Sequence, residues 1–209
     1  MSRIAIVDYG MGNLHSMARA VERVGGGAHV FLASEPEQLL RADKVIFPGV
    51  GAIRSCMSEL RRLGLDEALR QTAANKPLLG VCLGMQALLA HSAESGGCPG
   101  LGVLPGTVEP LAGENAGVAR KVPHIGWNRV HQLHEHPLWD GIAQDTAFYF
   151  IHSFHAVPHT SEIIAAHTDY RGAFVSALWR DNVFAVQFNP EKSRTTGLRL
   201  LTNFINWDG

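Results

Sequence analysis

Cysteine is scarce in this sequence: Cys56, Cys82 and Cys98, an odd number with no Cys-x-x-Cys pair. That argues against a disulfide framework and for a reducing compartment, so a cytoplasmic setting is expected. An excess of charge is lacking too. Lysine and arginine number 18 against 19 aspartates and glutamates, a net charge of -1, so nothing favours nucleic acid or an anionic membrane as a partner. No apolar run is long enough to span a bilayer. Met1-Ser2-Arg3 leads straight into Ile4-Ala5-Ile6-Val7, which reads as a first strand and not a signal peptide. There is no linker, internal repeat or low-complexity tract. With 209 residues, 46% of them hydrophobic, the chain can bury a sizeable core, and residues 1–209 are expected to form a single domain.

What is present is arranged around Lys76-Pro77-Leu78-Leu79-Gly80-Val81-Cys82-Leu83-Gly84-Met85-Gln86. It reads as an apolar strand, a tight turn at Cys82, and a helix running on through Ala87, Leu88, Leu89 and Ala90. Gly80 and Gly84 flank the cysteine in the pattern of a nucleophile elbow, with Cys in place of Ser. Such a turn needs small neighbours and pushes the side chain out above the sheet. The free N–H groups of the following helix are expected to favour thiolate over thiol. A buried packing cysteine would satisfy the same turn.

Upstream, Ile4–Val7, His29–Leu32 and Lys44–Phe47 read as short buried strands. Helical spacing joins Leu14, Met17, Ala18, Val21 and Val24, and Gly25-Gly26-Gly27 stop that helix. Ser34 can cap a short helix through Leu39 and Leu40. Two more helical segments carry Met57, Leu60 and Leu63, then Leu65, Ala68 and Leu69, with Cys56 packing in the first. After the first strand, Gly10 and Gly12 resemble a dinucleotide loop, but the third glycine would fall at His15 and the fingerprint fails. Alternating strands and helices imply an α/β fold with a doubly wound, mostly parallel sheet. Ligands of such sheets sit beyond the C-terminal strand ends. Both Pro48-Gly49-Val50-Gly51 and Cys82 lie at such ends, and glycines there let backbone N–H groups turn towards a ligand.

Past Gly100 strand-like stretches dominate: Gly117–Val122, Trp127–Val130, Ala147–Ile151, Ile163–His167, Phe174–Trp179 and Val183–Phe188. They are expected to add antiparallel strands to the same domain. Cys98 reads as a loop residue. His131, His134 and His136 cluster before Pro137 without a cysteine set at tetrahedral spacing, so a surface loop is expected there and no metal. Ser193 can cap a last helix whose Leu198, Leu201 and Ile205 face the core. Gln187-Phe188-Asn189-Pro190-Glu191-Lys192-Ser193 follows an apolar strand. A cysteine nucleophile needs a general base, and the base an orienting carboxylate. Glu191 can orient, and the base position two residues earlier holds Asn189.

Taken together, these segments resemble the class I (triad-type) glutamine amidotransferases over nearly the whole chain. Gly80–Gln86 matches their nucleophile motif, Pro48–Gly51 their oxyanion strand, and Tyr149-Phe150-Ile151-His152-Ser153-Phe154 their substrate-backbone segment. Asp8-Tyr9-Gly10-Met11-Gly12-Asn13 and Pro123-His124-Ile125-Gly126-Trp127-Asn128 are similar to the glutaminase subunits of imidazole glycerol phosphate synthase. The resemblance implies that Cys82 attacks the side-chain amide of glutamine, with Val50 and Leu83 N–H groups holding the oxyanion. It also implies that Gly49, Gly51, Gln86, Glu94, Ser153 and Phe154 bind substrate. Ammonia would pass to a separate (β/α)8 cyclase/synthase subunit touched by Asn13, Trp127 and Lys192. No cofactor or metal is implied. The family has histidine where this chain has Asn189, which cannot take a proton from Cys82. The resemblance therefore also implies a severely impaired glutaminase. A non-catalytic binding or regulatory subunit, and a stand-alone cysteine hydrolase of similar fold, remain open on the sequence alone.

Overall fold

The computed structural model describes residues 2–209 apart from 112, 113, 116, 117 and 120; of residues 114, 115, 118 and 119 it describes the backbone alone. Five strands form the parallel half of one large sheet: β1 (Arg3–Val7), β2 (His29–Ala33), β3 (Lys44–Gly49), β4 (Leu78–Cys82) and, from the far end of the chain, Val183–Val186. Their order is β2-β1-β3-β4 and then Val183–Val186, each pair parallel. The apolar runs are continuous because both faces are covered. Ala5 and Val7 face one apolar cluster, Ile4 and Ile6 the other. The first cluster is completed by helices α2 (Pro36–Arg41), α3 (Ile53–Leu63), α4 (Leu65–Asn75) and α5 (Leu83–Leu88). The second is completed by α1 (Leu14–Val24) and α6 (Arg194–Asn206). This is the doubly wound arrangement that the alternation implied.

The other half of the sheet is largely antiparallel. Its strands are β5 (Leu89–Ser92), β6 (Cys98–Pro99), β7 (Leu104–Pro110), β10 (His124–Gln132), β11 (Thr146–His152), β12 (Phe154–Pro158), β13 (Ile164–Asp169) and β14 (Ala173–Arg180). Val183–Val186, β15 in chain order, joins the halves by pairing antiparallel with β14 and parallel with β4. From β14 the sheet continues through β12 and β7 to β5 and β6, with a branch through β13 to β10 and β11. Glu114–Asn115 (β8) and Val118–Ala119 (β9) make a separate two-stranded pair. Of the expected strand Gly117–Val122, Gly117 and Arg120 lie outside the described residues, and Val122 is not extended.

Several local expectations change. The helix after Cys82 stops at Leu88 and does not reach Ala90, because Leu89 turns extended to open β5 alongside β7. β7 and β12 were not read from the sequence, since their prolines and glycine look like loop signals; β7 nevertheless alternates buried with half-buried residues. Ser34 does not cap α2. Glu35 does, in a reciprocal box with Gln38. Ser193 stands at the start of α6 but spends its hydroxyl elsewhere, donating to the Asn189 carbonyl at 2.7 Å and accepting from Tyr149 N–H at 3.0 Å. In α6 Leu201 is buried, with Leu200 and Phe204, while Leu198 and Ile205 are partly buried against the core. Cys98 is buried in β6, not in a loop.

His131 and His134 are exposed, but His136 is buried among Trp179, Phe184 and Trp207. Its Nδ1 accepts from Leu138 N–H at 3.1 Å. The surface-loop reading thus fails for His131, which is exposed but lies on strand β10, and for His136, whose ring fills an aromatic pocket. No helix among the described residues is long and apolar enough to cross a membrane.

The glycines at the β4–α5 junction are required by contact. A Cβ on Gly84 would lie 1.8 Å from the Phe47 carbonyl oxygen, and one on Gly80 would lie 2.7 Å from Leu88 Cδ1. The first clash is with backbone, the second with a side-chain end that can move. Gly84→Ala is therefore expected to cost about 3 kcal/mol or to prevent folding, and Gly80→Ala about 1–2 kcal/mol. Urea denaturation followed by circular dichroism reads both; equal losses would contradict the contact argument.

Candidate active site

Cys82 ends β4 and precedes α5 with φ 55° and ψ -110°. A non-glycine residue in that conformation costs on the order of 1–3 kcal/mol and persists only where its surroundings enforce it. Here they do. β4 is clamped between β3 and β15, and α5 presses on β3 through the missing side chain of Gly84. Parallel register sets Gly49 directly beside Cys82. The Pro48–Gly51 segment and Cys82 are thus held together by the sheet. A Cβ on Gly49 would meet the Tyr9 hydroxyl at 2.5 Å and Leu83 Cβ at 2.9 Å. Tyr9 itself is buried and donates to the Pro48 carbonyl at 3.3 Å, tying the turn after β1 to the same segment.

A cleft of about 320 Å³ opens above the sulfur. Segments from both halves of the sheet line it: Val50, Gly51, Leu83, Gln86 and Lys192 follow strands of the parallel half, and Glu94, Pro123, Ile151, His152, Ser153 and Phe154 belong to the antiparallel half. The Cys82 thiol donates to the Ile151 carbonyl at 3.7 Å and accepts from Gln187 Nε2 at 3.8 Å. Gln86 Nε2 donates to the Phe154 carbonyl and to Gln187 Oε1, both at 3.0 Å. Glu94 Oε2 accepts from the Ile53 N–H at 3.1 Å, which fixes that carboxylate at the start of α3. Asn189 Nδ2 donates to Glu191 Oε1 at 3.2 Å.

The glutamine amidotransferase class-I family matches residues 5–207. The chain belongs to the class-I glutamine amidotransferase family. A relative from Nitrosococcus oceani, imidazole glycerol phosphate synthase subunit HisH, is 54% identical over 209 residues, 100% of this chain and 99% of its own. The subunit of the same name from Acinetobacter baylyi is 51% identical over 211 residues and covers 100% of both chains. Among solved structures, PurLQS from Thermotoga maritima superposes with a TM-score of 0.74 over 98% of each chain at 16% identity. A crystal structure of a glutamine amidotransferase does so with a TM-score of 0.71 over 97% of each chain at 20% identity. These two likenesses bear on the fold alone.

For an amidotransferase the electrostatics are unexpected. The six-residue α5 does not make Cys82 a thiolate. Burial pushes the thiol up to about 12, the nearby Glu191 carboxylate pushes the same way, and the Leu83 N–H, Lys192 and Gln187 only partly oppose them. The expectation of a thiolate stabilised by the helix is therefore overturned, because desolvation outweighs one short turn of free N–H groups. Glu191 is itself raised, again chiefly by burial. Among the described residues no hydrogen bond joins Cys82 to Asn189. Asn189 Oδ1 and Glu191 Oε2 are buried without a hydrogen-bond partner there.

The structure brings Cys82, Gly51, Val50, Leu83, Gln86, Glu94, Ser153 and Phe154 to one cleft, with Asn189 buried and Glu191 half-buried nearby and Gly49 behind the turn. Lys192, read as a partner contact, lines the cleft itself. Asn13 and Trp127 lie outside the cleft lining; Trp127 is 46% exposed, with the Arg194 guanidinium 5.2 Å from its ring. Sequence reasoning placed Ile151 and Gln187 in site segments but gave neither its contact with the sulfur. The available signal for Gln187 is a polar residue ending the apolar run Val183–Val186, where it is fully buried.

The raised thiol gives a pH prediction. Burial keeps Cys82 a thiol at pH 7. Alkylation of Cys82 by iodoacetamide should rise about tenfold per pH unit up to at least about pH 9, without a plateau. Mass spectrometry of the Cys82 peptide measures it. A plateau near neutral pH would show a thiolate and contradict the burial argument.

Proposed function

We propose that this chain is the glutaminase subunit of an imidazole glycerol phosphate synthase, a cytoplasmic single-domain subunit that hands ammonia to a (β/α)8 cyclase partner. The observation that carries the reading is Cys82 held in the strained turn beside Gly49, at the floor of a cleft lined by Gln86, Glu94, Ser153 and Phe154. The full-length likeness to subunits named HisH supports the partner and the pathway.

In this reading Cys82 Sγ attacks the side-chain carbonyl carbon of glutamine. The C–S bond forms as the carbonyl oxygen gains charge opposite the N–H groups of Val50 and Leu83. Collapse breaks the C–N bond, releases ammonia and leaves a thioester, which water hydrolyses to glutamate. The thiol proton must leave first and the departing nitrogen must gain one. A base at position 189 serves both steps. Asn189 can do neither, since an amide has no basic lone pair at neutral pH. Its Nδ2 nonetheless reaches Glu191 at 3.2 Å, the contact a ring N–H would make to its orienting carboxylate. The contact to the orienting carboxylate is thus kept, and the proton carrier is absent.

Ile125, Trp127 and Ile151 are 56%, 46% and 38% exposed on the paired strands β10 and β11, and Ile151 also lines the cleft. An apolar face beside the mouth suits a partner that receives ammonia without release to solvent. The asparagine also favours a second reading, a non-catalytic regulatory subunit that binds glutamine and partner.

Glutaminase activity measured with the synthase partner separates the readings. This chain is expected to fall at least about 10²-fold below Asn189→His. Equal activity would mean that another residue is the base. Inactivity of both, with partner binding intact, would favour the regulatory subunit.

A further inference from the structure

Two buried histidines have no part in that chemistry. His124, on β10, and His152, at the end of β11, face each other in register, and His124 Nδ1 lies 2.9 Å from His152 Nε2. His152 Nδ1 lies 2.8 Å from the Phe154 carbonyl. A carbonyl oxygen only accepts, so His152 carries its proton on Nδ1. Its Nε2 must then accept, which places a proton on His124 Nδ1 and leaves His124 Nε2 bare. Asn128 Nδ2 lies 3.4 Å from that bare nitrogen. The orientation of the Asn128 amide is fixed separately: its Oδ1 accepts from Arg129 N–H at 2.8 Å and its Nδ2 donates to the Asp169 carbonyl at 2.8 Å. Every proton in the file therefore points the same way, from Asn128 to Phe154.

The file does not stop there. The Phe154 carbonyl also accepts from Gln86, Gln86 donates to Gln187 Oε1, and Gln187 donates to the Cys82 sulfur. Aromatic rings hold the histidines in place: His124 stacks on Tyr170 at 4.0 Å and on Phe150 at 5.0 Å, and His152 packs on Phe174 at 5.0 Å. Burial lowers both, His124 to about 4 and His152 to about 3, so both are neutral at pH 7.

We propose that His152, locked in its Nδ1–H tautomer by His124, is a positioning residue for the nucleophile, acting through the Phe154 carbonyl, Gln86 and Gln187 on Cys82. The proposal rests on Cys82 being the reacting group. It connects the exposed strand β10, which carries Ile125 and Trp127, to the sulfur by an unbroken series of hydrogen bonds. A file of this kind has two arrangements, one for each tautomer of the pair, and only one leaves the Phe154 carbonyl with a ring N–H donor.

The test uses the full chain. Nitrogen-15 imidazole shifts at pH 7 are expected to report His124 and His152 as neutral Nδ1–H tautomers; an Nε2–H or charged His152 would overturn the proposal. His152→Leu, checked for folding by its thermal melt, should slow alkylation of Cys82 by a chloroketone analogue of glutamine about tenfold. His152→Asn, which keeps a donor near the Nδ1 position, should stay near the parent rate. Equal rates for the two variants would overturn the proposal. Should His152→Leu not fold, His124→Leu replaces it, removes the ring that His152 Nε2 accepts from, and must slow alkylation; an unchanged rate sinks the idea. Glutaminase activity of Asn189→His with the synthase partner, run alongside, tests the functional reading separately. Its absence beside the expected alkylation order would count against that reading and leave the positioning role supported.

Discussion

The constraint on which the rest of this structure depends is the backbone at Cys82. A φ of 55° with a ψ of -110° is unfavourable for any L-residue with a side chain. The fold offsets it by over-determination. β4 lies centrally between β3 and β15, so the strand cannot slide. α5 can follow so abruptly only because Gly84 lets it contact the Phe47 carbonyl and Gly80 lets it pack over β4. The same parallel register that fixes β4 places Gly49 beside the sulfur. Cys82 and the Pro48–Gly51 segment are therefore one mechanical unit, and Tyr9 extends it to the turn after β1 through the Pro48 carbonyl.

Local geometry and local electrostatics pull apart at that turn. Cys82 lines the cleft, yet the residue is only 7% exposed, and desolvation dominates its titration. The thiol donates to the Ile151 carbonyl, an acceptor that favours the protonated form. A cysteine so buried forms its thiolate only where a base takes the proton. That requirement gives position 189 its weight. A buried carboxylate at Glu191, itself raised by burial, is poor company for a thiolate unless a cation forms between them. Imidazolium would be that cation; the amide of Asn189 cannot be.

The parallel half of the fold was legible because its strands are short continuous apolar runs separated by helices of clear period. The elbow and the Pro48–Gly51 segment were legible because glycine at a crowded turn leaves a pattern in the chain. Other features left none. β7 and β12 carry prolines and a glycine, which signal a break, and only pairing with each other reveals them as strands. Ser193 has the composition of a helix cap, but a tertiary hydrogen bond to Tyr149 claims its hydroxyl. His136 sits in a polar stretch and is buried all the same, because three aromatic rings from distant segments surround it. Thiolate stabilisation was misjudged for a related reason: the number of residues covering a sulfur is a property of the fold, and the helix that was to stabilise it is six residues long.

The antiparallel half is what turns a strained cysteine into a site. β11 and β12 meet at Ser153, and that corner supplies the Ile151 carbonyl at the sulfur, the His152 ring and the Phe154 carbonyl. Each is fixed by strand pairing rather than by a loop: Ile151 by Ile125, His152 by His124, Phe154 by Pro110. β10 is at once the partner strand of β11 and the strand bearing exposed Ile125 and Trp127. A shift of β10 along β11 therefore cannot be confined to the surface. It would break the contact between His124 and His152 and reach the Phe154 carbonyl within one hydrogen bond. In a parallel sheet alone the cleft would have one wall and a fixed floor. The antiparallel strands add a second wall that is coupled to an outer face.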